Sequence, residues 1–264
     1  MKRIIKVAGE TDFDIMPGAA EPLPAEGDTQ DVRVVYTHTR SVESAPEVLR
    51  RNRVIAGLDD AAIKSVYKIL RTQVLQRMKA NGWSTLAITS PCAGEGKSLT
   101  AVNLAISIAR EVNHTVLLVD LDLRHPSVAR YFGYEPDLGM RDYLLDDFPL
   151  SDVLFTPGID RLAVLPGGTP LTDSSELLSA PKMVRLAEEL KGRYRDRIVI
   201  YDMPPLLASD DVLVFAPHVD ALLLVIQDGR TRKDELNSAM ELLDGVNVIG
   251  SVLNHTADVS SGKY

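Results

Sequence analysis

A run of apolar residues, Leu86-Ala87-Ile88, leads into Ser90-Pro91-Cys92-Ala93-Gly94-Glu95-Gly96-Lys97-Ser98 and leaves through Leu99, Ala101, Val102 and Leu104. Of everything in the 264 residues, this stretch restricts the fold most, because a strand, a glycine-bearing loop and a helix in that order build a cradle for polyphosphate. Gly94 and Gly96 let successive backbone N–H groups turn towards one point. The opening turn of the helix adds the positive end of its dipole. Lys97 brings a mobile ammonium to the terminal phosphates, and Ser98 offers a hydroxyl to Mg²⁺. Ala93, Gly94, Glu95, Gly96, Lys97, Ser98 and Leu99 are therefore the expected nucleotide-binding stretch. The loop departs from the pattern G-x-x-x-x-G-K-[ST] at its first position, where Pro91 stands.

Composition narrows the classes of function. A chain that is 45% hydrophobic and 25% charged can bury one large α/β core. Its formal net charge of -8 argues against a nucleic-acid surface, which would need a basic face. The single cysteine, Cys92, excludes an internal disulfide framework and suits a reducing compartment. No apolar run approaches the length of a membrane span. The basic start, Met1-Lys2-Arg3, gives way to Gly9, Glu10 and Asp12 without the apolar region of a signal peptide. The expectation is a cytoplasmic protein, with any recruitment to the inner face of the plasma membrane left to a partner.

Along the chain, Pro17, Gly18, Pro22, Pro24, Gly27 and Pro46 lie among polar residues, and 1–57 is expected to be a mostly disordered arm. From Asp60, a helix cap, Ile63, Val66, Tyr67, Leu70, Val74, Leu75 and Met78 recur at helical spacing until Asn81-Gly82. This amphipathic helix is expected to pack on the nucleotide domain, with an oligomer contact from its Lys68 and Arg71 side as a further possibility. Strands are expected over 86–89, 116–120, 162–165, 198–202, 221–226 and 248–253. Helices are expected over 99–111, 140–145, 175–191, 210–215 and 231–243. Several strands are apolar at every position, as parallel strands buried on both faces are. The fold class is α/β, a P-loop NTPase fold of the deviant Walker, Min/Par-like kind, with a mostly parallel sheet and helices on both faces. The domain spans 58–255, and 256–264 is a flexible tail.

Two further strands end in acids, Leu117-Leu118-Val119-Asp120-Leu121-Asp122-Leu123-Arg124 and Ile198-Val199-Ile200-Tyr201-Asp202-Met203-Pro204-Pro205. In an open parallel sheet the carboxyl ends of the strands face the ligand crevice, so Asp120, Asp122 and Asp202 should converge on the loop. Acids beside phosphates imply a hard cation, and with Ser98 they are the expected Mg²⁺ set. One of Asp120 and Asp122 could instead accept a proton from an attacking hydroxyl. Arg124 either steadies developing charge or a neighbouring chain, or makes a surface ion pair.

The three motifs SPCAGEGKS, LLVDLDLR and IVIYDMPP, in that order, resemble those of the bacterial tyrosine kinases of capsule and exopolysaccharide synthesis. The likeness extends through Arg124-His125-Pro126-Ser127, Leu165-Pro166-Gly167-Gly168, Ser175-Glu176-Leu177-Leu178, Ser209-Asp210-Asp211 and Val252-Leu253-Asn254, covering about 60–254. It implies an ATP- and Mg²⁺-dependent protein-tyrosine autokinase with Asn254 near the adenine. It also implies a homo-oligomer and a membrane polysaccharide co-polymerase, or chain-length regulator, whose cytoplasmic segment activates the kinase. Family members end in a tyrosine cluster, whereas this tail carries only Tyr264 as candidate acceptor. Their ring-forming E-x-x-R-x-x-R pattern falls on Ser65, Lys68 and Arg71, without the acid. Alternatives are a Min/Par-like dimeric ATPase switch, whose signature lysine would stand at Cys92, and an ATP-binding regulatory subunit without turnover.

Overall fold

The computed structural model describes residues 6–8, 39–193 and 196–256. Strands β1 (Lys6–Ala8) and β2 (Arg40–Ser41) precede helices α1 (Pro46–Arg51) and α2 (Ala61–Asn81). The central part runs β3 (Thr85–Thr89), α3 (Lys97–Ala109), β4 (Thr115–Asp120), α4 (Val128–Tyr131), α5 (Met140–Asp146), α6 (Leu150–Val153), β5 (Phe155–Thr156) and β6 (Leu162–Leu165). It ends with α7 (Ser174–Ser179), α8 (Pro181–Gly192), β7 (Arg197–Asp202), α9 (Asp211–Phe215), β8 (Ala221–Gln227), α10 (Lys233–Leu242) and β9 (Val248–Asn254). The strands form one sheet in the order β1-β9-β8-β3-β7-β4-β6-β5-β2. Its centre is parallel; the β1–β9 and β5–β6 pairs are antiparallel.

Strand periodicity divides the core into two layers. Leu86, Ile88, Val116, Leu118, Ile198, Ile200 and Leu223 face α2 and α3. Ala87, Leu117, Val119, Val199, Tyr201, Leu222 and Leu224 face the layer of α5, α8, α9 and α10. Burial on both faces is why these strands lack the polar alternation of a half-exposed sheet.

Helix α2 begins and ends where its sequence signals stand. Asp60 accepts hydrogen bonds from the N–H of Ala62 at 2.9 Å and Ile63 at 3.2 Å, and Gly82, at φ 68°, supplies the left-handed stop. Tyr67, Leu70, Val74 and Met78 are buried on the core. Arg71 is turned inward, donating to the Ser107 carbonyl at 3.0 Å and pairing with Glu111 at 3.4 Å.

The expected arm over 1–57 needs correction at its later part. Leu49, Val54 and Ile55 are buried in the layer of α2 and α3, and Pro46 starts α1 at a position where its missing N–H costs nothing. Asn103 of α3 satisfies the chain there, accepting from Ile55 N–H at 2.8 Å and donating to the Arg53 carbonyl at 3.2 Å. A few apolar residues sufficed because a buried amide meets the backbone polar groups around them. Residues 1–5 and 9–38 lie outside the described residues, as does the tail 257–264 with Tyr264. The helix expected over 175–191 is two helices. Ala180 is extended, as the residue before a proline prefers, and Pro181 restarts the chain as α8.

Candidate functional site

Register brings the strand ends together. Asp202 of β7 stands opposite Ile88 of β3 on one side and Asp120 of β4 on the other, so the acids and the phosphate loop share one edge of the sheet. The loop is fastened to the chain after β7. The N–H of Met203, Leu206 and Leu207 donate to the carbonyls of Ile88, Ser90 and Pro91 at 2.9, 2.8 and 3.1 Å, and Thr89 Oγ1 donates to the Pro204 carbonyl at 2.6 Å. Pro91 thus contributes an anchoring carbonyl. A cavity of about 230 Å³ opens at this edge, lined in part by Asp120, Ser127 and Gly167. A larger one, of about 660 Å³, lies between Ser41–Ser44 and Pro157–Arg161 at the amino ends of β4 and β6. Strand polarity puts the ligand at the edge where the smaller opens, and that cavity lies beside the phosphate loop, with Asp120 in its lining but none of residues 93–99.

Lys97 is buried at the centre of this edge. Its Nζ donates to Asp122 Oδ2 at 2.7 Å and Ser98 Oγ at 3.2 Å, and lies 3.8 Å from Asp202 Oδ1. Burial works against its charge, but the carboxylates of Asp202 and Asp122 outweigh that and hold the ammonium above the usual lysine range. The acids differ in what they hold. Asp120 accepts from the N–H of Asp122 at 3.2 Å, Ser127 at 2.8 Å and Val128 at 3.0 Å, so its carboxylate shapes the turn after β4. Asp122 Oδ1 accepts from His125 N–H at 3.1 Å. Asp202 is fully buried, and among the described residues neither of its oxygens accepts a hydrogen bond of ordinary length, although the Lys97 ammonium and the Ser98 hydroxyl both favour its charged form. Burial pushes both Asp120 and Asp202 above the usual carboxylate range; Asp202 adds to the rise at Asp120, and Lys97 opposes the rise at Asp202.

A buried acid so loosely bonded fits a cation supplied with the ligand. Among the described residues, no group of three or more His, Cys, Asp and Glu side chains could hold a metal ion by itself. Mg²⁺ commonly takes one or two protein oxygens and fills its remaining positions with phosphate and water.

Gly94 and Gly96 adopt φ of 81° and 94°. Above Gly96 lies Asn254, whose Nδ2 donates to the Glu95 carbonyl at 2.9 Å while its Oδ1 accepts from His255 N–H at 2.9 Å. This amide ties the end of β9 to the loop. Gly96→Ala would place a Cβ 2.1 Å from Asn254 Nδ2 in a left-handed backbone. The expected result is a cost of about 1–3 kcal/mol in strain, read as a lowered melting midpoint, together with loss of ADP binding in a fluorescence titration.

The Glu95 side chain turns inward. Its carboxylate accepts from Cys92 N–H at 2.9 Å and from Thr231 Oγ1, joining the loop to the turn after β8. Arg124 is held by its neighbours, Nε donating to Ser174 Oγ at 3.0 Å and lying 3.7 Å from buried Asp211, which also accepts from Ser174 Oγ at 2.6 Å. Of the expected residues, Lys97, Ser98, Asp120, Asp122 and Asp202 come together, and Asn254 meets the loop from the far side. Thr231 and Asp211 were not singled out as site residues. The strand-end rule reaches Thr231, since β8 ends at the same edge; Asp211 carries no such signal.

Residues 86–263 match the CobQ/CobB/MinD/ParA nucleotide binding domain family. Tyrosine-protein kinase YwqD of Bacillus subtilis (strain 168) is 34% identical over 216 residues, which span 78% of this chain and 90% of YwqD. Succinoglycan biosynthesis transport protein ExoP of Rhizobium meliloti (strain 1021) is 28% identical over 237 residues, 87% of this chain but 30% of ExoP. Among solved structures, the kinase domain of the Escherichia coli tyrosine kinase ETK superposes with a TM-score of 0.71 at 27% identity, covering 88% of this chain and 93% of that one.

Proposed function

The chain belongs to the CobQ/CobB/MinD/ParA nucleotide-binding family and, within it, to the bacterial tyrosine-protein kinases, and from that premise we propose that it binds ATP with Mg²⁺ and phosphorylates tyrosine, on copies of itself, in the control of exopolysaccharide or capsule assembly. The observation that carries this reading is the buried Lys97 between Asp122 and Asp202 at the mouth of the phosphate loop. A Min/Par-like switch is disfavoured at Cys92, where the loop has a thiol in place of a cation and gives its N–H to Glu95.

Each side chain has a task in this scheme. The loop N–H groups and Lys97 hold the β- and γ-phosphates. Ser98 and Asp202 would hold Mg²⁺, which when bound neutralises charge across those phosphates. Asp122, steadied by Lys97 and His125 N–H, accepts the phenolic proton as the tyrosine oxygen bonds to the γ-phosphorus and the bond to ADP breaks. Asp120 keeps the turn at Ser127 and Val128 in place, and Arg124 fixes the amino ends of α7 and α9 behind the acids. Asn254 holds β9 against the loop on the adenine side.

Tyr264 is the proposed acceptor on a neighbouring copy, and a membrane polysaccharide co-polymerase the proposed activator. Support for the second comes from ExoP, named for succinoglycan transport, in which the matching region is part of a much longer chain. Among the described residues no helix is long and apolar enough to cross a membrane, so recruitment to the membrane would fall to that partner. The test is incubation of the full chain with labelled ATP and Mg²⁺, alone and with the cytoplasmic segment of such a co-polymerase, followed by mass spectrometry. Label on tyrosine is expected; phosphate released to water with no labelled tyrosine would overturn the reading.

A further inference from the structure

Arg230 lies on the turn between β8 and α10, beyond Gln227, the last residue of β8. That turn sits at the edge of the sheet that carries the phosphate loop, and its position is set by hydrogen bonds on both sides of Arg230. Thr231 Oγ1 donates to the Glu95 carboxylate. It also accepts from Gln227 N–H at 2.8 Å, and Arg230 N–H donates to the Gln227 carbonyl at 3.3 Å. Gly229, at φ 68°, lets the chain reverse there.

This clasp seats the Arg230 guanidinium on the loop. A Cβ built on Gly94 would stand 3.1 Å from Nη1 and 3.5 Å from Nη2. Among the described residues no carboxylate comes within ion-pair distance of Arg230, whereas Arg232, two positions on, pairs with Asp234 at 3.1 Å and Glu235 at 3.4 Å. A free arginine on a surface is ordinary. One held against the glycine of a phosphate loop, in a chain of net charge -8, has a specific anion to meet.

We propose that Arg230 is a phosphate-binding residue, its forked N–H donors reaching the phosphate oxygens of the bound nucleotide beside Lys97. The inference rests on the reading of the loop as an ATP site. It gives the loop a second cation from its own chain, delivered by the turn that Glu95 and Thr231 hold in place.

The experiment is calorimetric titration of the full chain with Mg-ADP, AMP and adenosine, the last two by displacement, for wild type, Arg230→Ala, Arg230→Lys and Arg232→Ala. Arg230→Ala should bind ADP about 10- to 100-fold more weakly, and Arg230→Lys should recover part of the loss because it keeps the charge without the fork. Adenosine affinity should be the same in all four proteins, and Arg232→Ala should bind ADP as wild type does. ADP affinity within twofold of wild type in Arg230→Ala, or an equal loss for adenosine, AMP and ADP, would overturn the proposal and leave the ATP reading standing. Wild type that binds no Mg-ADP would overturn both.

Discussion

Lys97→Met is expected to abolish tyrosine labelling and to lower the melting midpoint of the nucleotide-free chain, and both losses have one source. The Lys97 ammonium is the cation that Asp122 and Asp202 share. Methionine fills the space of the stem but leaves those buried carboxylates facing each other and Asp120 without a counter-charge. Removing one partner of a buried charge pair costs roughly 3–5 kcal/mol, which for a domain of this size lowers the midpoint by about 10 °C. Loss of a preorganised charge at the reacting phosphate costs about 10²–10³-fold in rate or more. Asp122→Asn placed in the Lys97→Met background separates the effects: it should recover part of the midpoint, by removing one stranded charge, and none of the labelling. An unchanged midpoint in Lys97→Met would contradict the shared-cation account. Labelling that survives would contradict the proposed role in phosphoryl transfer.

How much of this could be read from the sequence depended on whether the signal was local. The strand, loop and helix around Gly94 and Gly96 declared themselves because each needs particular residues at fixed spacing, and the central strands did so because burial on both faces writes continuous apolar runs. Convergence of Asp120 and Asp202 followed from strand polarity alone, and the register places them side by side. What was not legible required knowing which partner a side chain chooses. Asp120 and Asp122 are indistinguishable on paper, yet one is consumed by three backbone N–H groups and the other faces Lys97. Arg124 reads equally as a cation for developing charge and as a surface ion pair, and its guanidinium goes to Ser174 and Asp211, which lie 50 and 87 positions away. The packing of Leu49, Val54 and Ile55 was hidden by the polar, proline-bearing chain before them, because so short an apolar cluster has no period to detect. Pro181 marks the break at Ala180, but the helical spacing continues on either side of it and hides the boundary.

Asp202→Asn should move stability and function in opposite directions. At neutral pH the wild-type carboxylate is buried, accepts no hydrogen bond of ordinary length among the described residues and stands in register with Asp120, while Lys97 is committed at closer range to Asp122. Removing its charge relieves repulsion, so the nucleotide-free variant should melt a few degrees above wild type at pH 7. The pH dependence follows with a definite sign. Asp202 and Asp120 have carboxyl groups raised in the fold, so the folded chain retains protons that the unfolded chain has released, and wild type loses stability as pH rises from about 4 towards neutrality. Asp202→Asn lacks part of that loss, and the two melting curves should converge on acidification. Function should respond the other way. Mg-ADP should raise the wild-type midpoint more than ADP with a chelator does, and that Mg²⁺-dependent increment should vanish in the variant along with tyrosine labelling. A variant several degrees less stable than wild type at pH 7 would mean that the carboxylate serves mainly as a structural partner of Lys97. An increment that persists would place the cation on other oxygens. If both expectations hold, the charge of Asp202 is a cost that the fold carries for the sake of the ion, since the one ammonium beside it is held at closer range by Asp122.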